Sequence, residues 1–251
     1  MRRYGLLLIV AGMALGMYGC RADHASPRAS AGDARTSDLP QAEAPDPSAA
    51  TAVADQAMPD AAPNAAHDAR PLLVCFGDSL TAGFGTDPGQ SYPDYLQADL
   101  DTMGYKYRVV NAGVSGNTTK DGVERLNSIV ALNPAVAVVE FGGNDGLRGL
   151  RIEDSRKNLD TIVATLKASG TKVVLAGITL PPNYGPDYIK QFDATYTLLA
   201  KKYQVPMLPF LLNGVFGVDG MMQADRTHAT ASGNKVVAKN VLPLVLPLLK
   251  K

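Results

Sequence analysis

The sequence predicts an α/β domain built on a five-stranded parallel sheet, and three observations support this fold class. Short apolar runs alternate with longer segments of helical apolar spacing from Pro71 onwards. The apolar runs contain few polar residues, as in strands that helices cover on both faces. Chemically suggestive residues directly follow the first three runs, where ligands bind in open α/β sheets.

Each predicted strand is a short apolar run that ends at or near a turn residue. The first strand covers residues 72–76 and stops at Gly77-Asp78-Ser79. The other four strands are predicted at 107–111, 135–141, 172–178 and 205–208. Ser79, Gly116 and Asn144 follow the first, second and third strands, so we expect them at one edge of the sheet.

Five helices are predicted from apolar spacing, at 92–103, 118–132, 154–169, 187–203 and 229–249. The second helix must end before Pro134, because the residue that precedes a proline is disfavoured in the α conformation. Pro243 and Pro247 interrupt the last helix near its end. Its leucine and valine content predicts packing on the sheet.

The amino-terminal 20 residues have the pattern of a signal peptide. Arg2 and Arg3 precede the apolar run at 6–15, which is short for a membrane span. Cys20 follows Gly19 at the expected cleavage position and resembles the lipid-bearing cysteine of a bacterial lipoprotein. The alternative is an ordinary secretory signal with an incidental cysteine. We predict a lipoprotein signal at 1–20 and a location in the cell envelope, in the periplasm or at the outer membrane.

Residues 21–70 predict a disordered tether. They are rich in alanine, proline, aspartate and serine and have almost no aliphatic or aromatic side chains, so they cannot bury enough apolar surface to fold. A flexible coil of about 50 residues spans roughly 40 Å. The prolines disfavour the alternative of an alanine-rich helical domain. The globular domain is therefore predicted at 71–251.

The charge and the residue types exclude several kinds of partner. Lysine and arginine number 24, as do aspartate and glutamate, so the net charge of zero does not favour nucleic acid. With His24 and His67 in the tether, the domain has one histidine and one cysteine, Cys75, which gives no zinc-binding set. We expect no metal or cofactor, and no obligate protein partner is indicated.

Ser79 is a candidate nucleophile, with His228 and Asp225 as its partners. A serine hydroxyl needs a base within hydrogen-bonding distance and a third group that orients the base. His228 is the only histidine of the predicted domain, and Asp225 precedes it by three positions. The alternative is that Asp78 or Ser79 only caps the following helix.

Acyl transfer also needs hydrogen-bond donors that face the oxyanion of the tetrahedral intermediate. The backbone N–H groups of Ser79 and Gly116 and the side-chain amide of Asn144 are the candidates. The alternative for Gly116 and Asn144 is that each only shapes a turn.

Four short motifs occur in a fixed order along 71–251: Gly77-Asp78-Ser79-Leu80, Gly116, Gly142-Gly143-Asn144-Asp145 and Asp225-Arg226-Thr227-His228. Together they resemble the four blocks of the SGNH (GDSL) hydrolases. The resemblance implies a flavodoxin-like three-layer α/β/α sandwich with strand order 2-1-3-4-5. It implies the same nucleophile, base, orienting aspartate and oxyanion donors, and no cofactor. Ala229 departs from the family pattern, in which proline follows the histidine, and this predicts a looser loop.

The resemblance also implies a substrate class. The segments 141–149 and 180–185 are similar to those of members described as thioesterases, lysophospholipases and arylesterases. We therefore expect a serine esterase that acts on arylesters, lysophospholipids or acyl thioesters through an acyl-enzyme. Leu147, Leu150 and Pro181 are expected to line the acyl site. The alternatives are an O-acetyl esterase for envelope polysaccharide and, less favoured, a non-catalytic surface-anchored binding module.

Overall fold

The computed structural model of this protein describes residues 68–251. The predicted signal peptide at 1–20, Cys20 and nearly all of the predicted tether lie outside the described residues. The strands are β1 (Leu72–Gly77), β2 (Arg108–Gly113), β3 (Val136–Glu140), β4 (Lys172–Ala176) and β5 (Met207–Leu208). They form one sheet in the order β2-β1-β3-β4-β5, and every neighbouring pair is parallel. The predicted fold class and strand order are confirmed.

The helices between the strands cover both faces of this sheet. They are α1 (Ser79–Ala82), α2 (Tyr92–Thr102), α3 (Thr119–Glu124), α4 (Leu126–Ala131), α5 (Gly143–Leu147), α6 (Ile152–Ala168), α7 (Pro186–Tyr203) and α8 (Ala231–Val245). Helix α2 packs beside α8, whereas α6 packs against α3 and α7. All residues of β3 are buried, as expected for a strand covered on both faces.

Local sequence determines where several helices begin and end. Ser91 begins α2 with a capping box, in which its side chain and that of Asp94 bond to each other's backbone N–H groups. Thr118 and Asp121 form the same motif at the start of α3. Helix α7 begins at Pro186 and ends at Tyr203, because the next residue, Gln204, has a left-handed φ of 52° that stops the helix.

The helix predicted at 118–132 is instead two helices, α3 and α4, which meet at Arg125. The backbone of Arg125 has φ −100° and ψ 7°, outside the helical region. Its guanidinium donates to the backbone oxygens of Gly77 at 2.6 Å and Ala112 at 2.8 Å. These bonds join the break to the ends of β1 and β2, and Arg125 also lies over the Phe76 ring.

Gly77 ends β1 because no side chain fits at its position. A Cβ atom there would overlap Thr81 Oγ1 and would lie 2.5 Å from Glu140 Oε2. Any larger residue would therefore separate the ends of β1 and β3. The glycine lets the chain turn sharply from the strand into α1.

Residues 70 and 250 both contact Tyr107, at the edge where the strands begin. Arg70 donates from Nη1 to the backbone oxygen of Tyr107 at 3.4 Å, and the N–H of Lys250 donates to the Tyr107 hydroxyl at 3.1 Å. Tyr107 immediately precedes β2, so this edge is opposite to Ser79. No helix in the described part of the chain has the length and apolarity needed to span a membrane.

Candidate active site

Ser79 lies at the carboxyl end of β1, as the first residue of α1. Asp78 caps this short helix, because its Oδ1 accepts the N–H of Leu80 at 3.0 Å. Asp78 is therefore the residue that caps α1, and the Ser79 hydroxyl takes no part in capping. The hydroxyl instead faces a groove beyond the ends of the strands.

His228 lies between Ser79 and Asp225. Its Nε2 is 2.8 Å from Ser79 Oγ, and its Nδ1 is 2.6 Å from Asp225 Oδ2. The Asp225 carboxylate has no proton to donate, so it accepts a hydrogen bond from the Nδ1–H of His228. Nε2 then carries no proton and can accept from the Ser79 hydroxyl. Two residues that are 149 positions apart in the sequence therefore form one hydrogen-bonded chain with Asp225.

Asp225 also holds the turn that leads to His228. Its Oδ1 accepts the backbone N–H groups of Thr227 at 2.9 Å and His228 at 3.1 Å. Burial acts to raise the pKa of Asp225, but the hydrogen bonds from His228 and Thr227 outweigh it and lower this pKa. The same carboxylate thus orients both the backbone and the ring of His228.

Hydrogen bonds hold the loop that carries His228 on both sides of this residue. A β-bridge joins Met222 to the buried Ala229, and the N–H of Gln223 donates to the His228 oxygen at 2.8 Å. The side-chain amide of Gln223 donates to the backbone oxygens of Phe84 at 2.7 Å and Ala229 at 2.9 Å. The loop is therefore held by hydrogen bonds that do not need proline at 229.

Asn144 lies in α5, a short helix at the end of β3. Its Nδ2 donates to the Asn117 backbone oxygen at 2.9 Å and to Asp78 Oδ2 at 3.1 Å. The buried carboxylate of Asp145 fixes this helix, because it accepts from the N–H of Thr119 at 2.9 Å and from Ser155 Oγ at 2.9 Å. Asn144 is thereby held at the rim of the groove, beside Ser79.

Gly116 lies at the same rim, in the loop after β2. Its φ of 80° favours glycine. The backbone oxygen of Gly116 accepts from Arg148 Nη2 at 3.0 Å. Within residues 68–251, the backbone N–H groups of Ser79 and Gly116 have no hydrogen-bond acceptor, so both remain available to a ligand.

The groove beside Ser79 has a volume of about 280 Å³ and largely apolar walls. Leu147 and Pro181, which we expect to line the acyl site, border this groove, whereas Leu150 does not. The Leu150 side chain is exposed, and its backbone oxygen accepts from the Tyr188 hydroxyl. Sequence reasoning missed the other apolar side chains of the wall, namely Leu80, Phe84, Ile178, Leu180, Phe210, Leu212 and Phe216.

Three of the missed residues are phenylalanines from two loops: Phe84 follows α1, and Phe210 and Phe216 lie between β5 and α8. The Phe84 ring also packs against the His228 ring, with 4.6 Å between centroids. A single aromatic residue in a loop belongs to no periodic pattern, so its residue type is the only signal that the sequence offers. In the described part of the chain, no three histidine, cysteine or acidic side chains are arranged to hold a metal ion.

The sequence matches known proteins along most of the described domain. Residues 75–236 match the GDSL-like Lipase/Acylhydrolase family. Esterase TesA of Pseudomonas aeruginosa is 44% identical over 178 residues, which are 70% of this chain and 89% of that protein. Thioesterase 1/protease 1/lysophospholipase L1 of Escherichia coli K12 is 36% identical over 178 residues, or 69% of this chain and 84% of that protein.

The fold agrees with these matches. The crystal structure of TesA superposes on this chain with a TM-score of 0.69 and 44% sequence identity, and the match covers 71% of this chain and 99% of that chain. The expected resemblance to esterases, thioesterases and lysophospholipases of one family is confirmed. The chain belongs to the GDSL-like Lipase/Acylhydrolase family, the SGNH hydrolases, and is an enzyme that hydrolyses esters.

Proposed function

We propose that Ser79 is the nucleophile of this esterase, His228 its general base and Asp225 the residue that orients the base. The observation that carries this proposal is the hydrogen-bonded chain Ser79–His228–Asp225, with distances of 2.8 and 2.6 Å. His228 Nε2 takes the serine proton as Oγ attacks the ester carbonyl. The protonated ring then donates to the leaving alcohol or thiol, and an acyl-enzyme forms.

The second half of the reaction uses the same groups. A water molecule gives its proton to His228 Nε2 and attacks the acyl-enzyme, and the ring returns the proton to Ser79 Oγ as the acid leaves. The N–H groups of Ser79 and Gly116 stabilise the oxyanion in both steps, and the amide of Asn144 joins them by exchanging its hydrogen bond to the Asn117 oxygen for one to the oxyanion. The free N–H groups of Ser79 and Gly116 support this assignment.

The apolar walls of the groove support the proposal that the acyl chain of the substrate is apolar and lies next to Ser79. Its walls are leucine, isoleucine and phenylalanine side chains, several of which are partly exposed where the groove opens. Each buried CH₂ group contributes about 0.8 kcal/mol to binding of a chain. Lysophospholipids and long-chain acyl thioesters present such a chain, as do arylesters of longer acids, whereas an acetyl group would leave most of the groove unfilled.

A panel of p-nitrophenyl esters tests this proposal. We expect the purified enzyme to hydrolyse hexanoyl and octanoyl esters with a kcat/KM at least about tenfold above that for acetyl ester, because about 1.4 kcal/mol of chain burial gives a factor of ten. A sharp preference for acetyl would instead favour the O-acetyl esterase. An inactive protein would favour the binding module.

Phe216→Ala shows whether the chain lies in this groove, with Met103→Ala as its matched control. Both side chains are exposed large apolar residues, at 49% and 42%, but only Phe216 lines the groove. Phe216→Ala should reduce kcat/KM for octanoyl ester by about tenfold and change that for acetyl ester much less. An equal loss for both esters would contradict chain binding at Phe216.

We propose further that the enzyme is exported and held in the cell envelope by a lipid on Cys20, with 21–70 as its tether. The basic and apolar pattern before Cys20 supports this proposal. In a bacterial host, the full chain should partition with the membrane fraction, and Cys20→Ser should move the enzyme to the soluble envelope fraction. Equal membrane partitioning of the two proteins would contradict lipidation at Cys20.

A further inference from the structure

Two buried carboxyl groups lie directly beneath the candidate oxyanion site. Asp78 follows β1 and Glu140 ends β3, and their exposed fractions are 2% and 0%. The backbone N–H of Asp78 donates to Glu140 Oε2 at 3.2 Å, so the two acidic residues are direct neighbours. The mechanism described above uses neither of them as an acid or base, so their burial calls for another explanation.

Three of the four carboxyl oxygens accept hydrogen bonds from neighbours. Asp78 Oδ1 accepts from the N–H of Leu80, and Oδ2 accepts from Asn144 Nδ2. Glu140 Oε2 accepts from Thr81 Oγ1 at 2.8 Å and from the Asp78 N–H at 3.2 Å. Glu140 Oε1 is buried and has no donor among residues 68–251.

If both of these neighbouring carboxyl groups were ionised, their like charges would repel and neither could donate to the other, which would leave Glu140 Oε1 without a donor. A single proton between them supplies the missing donor. Burial raises the pKa of Asp78, and the charge of Glu140 adds to this effect. Burial also raises the pKa of Glu140, although hydrogen bonds from Thr81 and Asp78 act in the opposite direction.

We propose that Asp78 and Glu140 hold one proton between them at neutral pH and that the pair is a positioning device for Asn144. The two carboxyl groups share this proton, which supplies the donor that Glu140 Oε1 otherwise lacks. Asp78 Oδ2 accepts from Asn144 Nδ2 at 3.1 Å. This inference rests on the proposed function, since it concerns the residues that support the oxyanion donors.

Electrostatics explains why one proton is retained. Two negative charges beneath the oxyanion donors would oppose the oxyanion, whereas a shared proton leaves one. Arg125 balances the remaining charge from the junction of α3 and α4. Burial lowers the pKa of Arg125 to about 10, which leaves its guanidinium charged at neutral pH.

The other titratable groups near the pair come from three elements. They are Tyr92 of α2, Tyr196 of α7 and His228 of the last loop. Burial raises the pKa of both tyrosines far above the neutral range, so neither competes for the shared proton near pH 7. Arg125 is then the charged partner of the pair.

Infrared spectroscopy tests the proton directly and does not depend on activity. At pH 7 we expect the full chain to show the carbonyl band of one protonated carboxyl group that Glu140→Gln lacks. Glu153→Gln is the matched control, because Glu153 lies on the exposed side of α6 and its loss should leave the band unchanged. A wild-type spectrum identical to that of Glu140→Gln in this region would overturn the shared proton.

The pH dependence of unfolding gives a second test. The folded pair keeps a proton that the unfolded carboxyls, with ordinary pKa values of 3.8 and 4.5, release. The pair's contribution to stability is therefore greatest below pH 4 and is lost as pH rises from about 4 towards the pKa of the folded pair. The Tm of the wild type should fall relative to that of Glu140→Gln by about 3 °C per pH unit over this range. A constant difference in Tm would contradict the proposal.

Variants of Asp78 test its role in positioning. Asp78→Ala removes both acceptors, and kcat should fall by roughly 10–100-fold with KM changed by less than about threefold, because Asn144 loses its orientation for the transition state. Asp78→Asn keeps an acceptor oxygen and should recover part of this loss. Equal kcat for the two variants, or a loss confined to KM, would refute positioning by Asp78. If Ser79 proved not to be the nucleophile, the infrared and unfolding results would still report on the proton.

Discussion

Replacing Ser79 with alanine is expected to lower kcat for octanoyl ester hydrolysis by about 10⁴-fold or more in a folded protein. The variant loses the oxygen that attacks the carbonyl, which is the hydroxyl 2.8 Å from His228 Nε2. Alanine is a good helix former, so α1 and its cap at Asp78 should persist. Steady-state kinetics and thermal unfolding would measure the two effects separately.

Ser169→Ala is the matched control for this substitution. Ser169 is at the carboxyl end of α6 and bonds only to local groups there, so its loss should leave kcat unchanged. A fluorophosphonate probe should label the wild type and Ser169→Ala but not Ser79→Ala. Turnover of the folded Ser79→Ala protein comparable to that of the wild type would refute the nucleophile assignment.

Asp225→Asn is expected to lower kcat by about 10³- to 10⁴-fold although it changes only one atom. The asparagine oxygen can keep the bonds from the N–H groups of Thr227 and His228, so the turn is retained. Its NH₂ group then faces His228 Nδ1 and donates to it. The ring must carry its proton on Nε2 instead, and it can no longer accept from Ser79.

Asp225→Ala separates this tautomer effect from a structural one. The alanine variant also loses both backbone bonds, so its Tm should fall further than that of Asp225→Asn, whereas both should lose most of their activity. Kinetics across the pH range and thermal unfolding of both variants would measure this. A kcat for Asp225→Asn within about tenfold of the wild type would contradict the proposed orientation of His228.

Much of the fold follows from local sequence. Apart from Glu140, the buried runs of β1 and β3 have no polar side chain because helices cover both faces of the sheet, and such runs are recognisable in one sequence. Ser79, Gly116 and Asn144 could be placed at one edge because parallel strands all end there. The meeting of these residues with His228 follows from that topology.

Other features depend on partners that are distant in the sequence. The break at Arg125 arises because its guanidinium reaches the ends of β1 and β2, and nothing in residues 118–132 indicates this. Glu140 ends an apolar strand, and its neighbour Asp78 is 62 positions earlier. The groove wall is similarly hidden, because Phe84, Phe210 and Phe216 come together only in the folded chain.

The shared contact of Arg70 and Lys250 with Tyr107 has a practical consequence for engineering. Because both ends of the domain approach one residue, a short linker can join them, and the domain can be inserted into a surface loop of a host protein. The groove is at the opposite edge of the sheet, so such an insertion leaves it facing solvent. The domain is thus suited to circular permutation and to display on a carrier without obstruction of its substrate entrance.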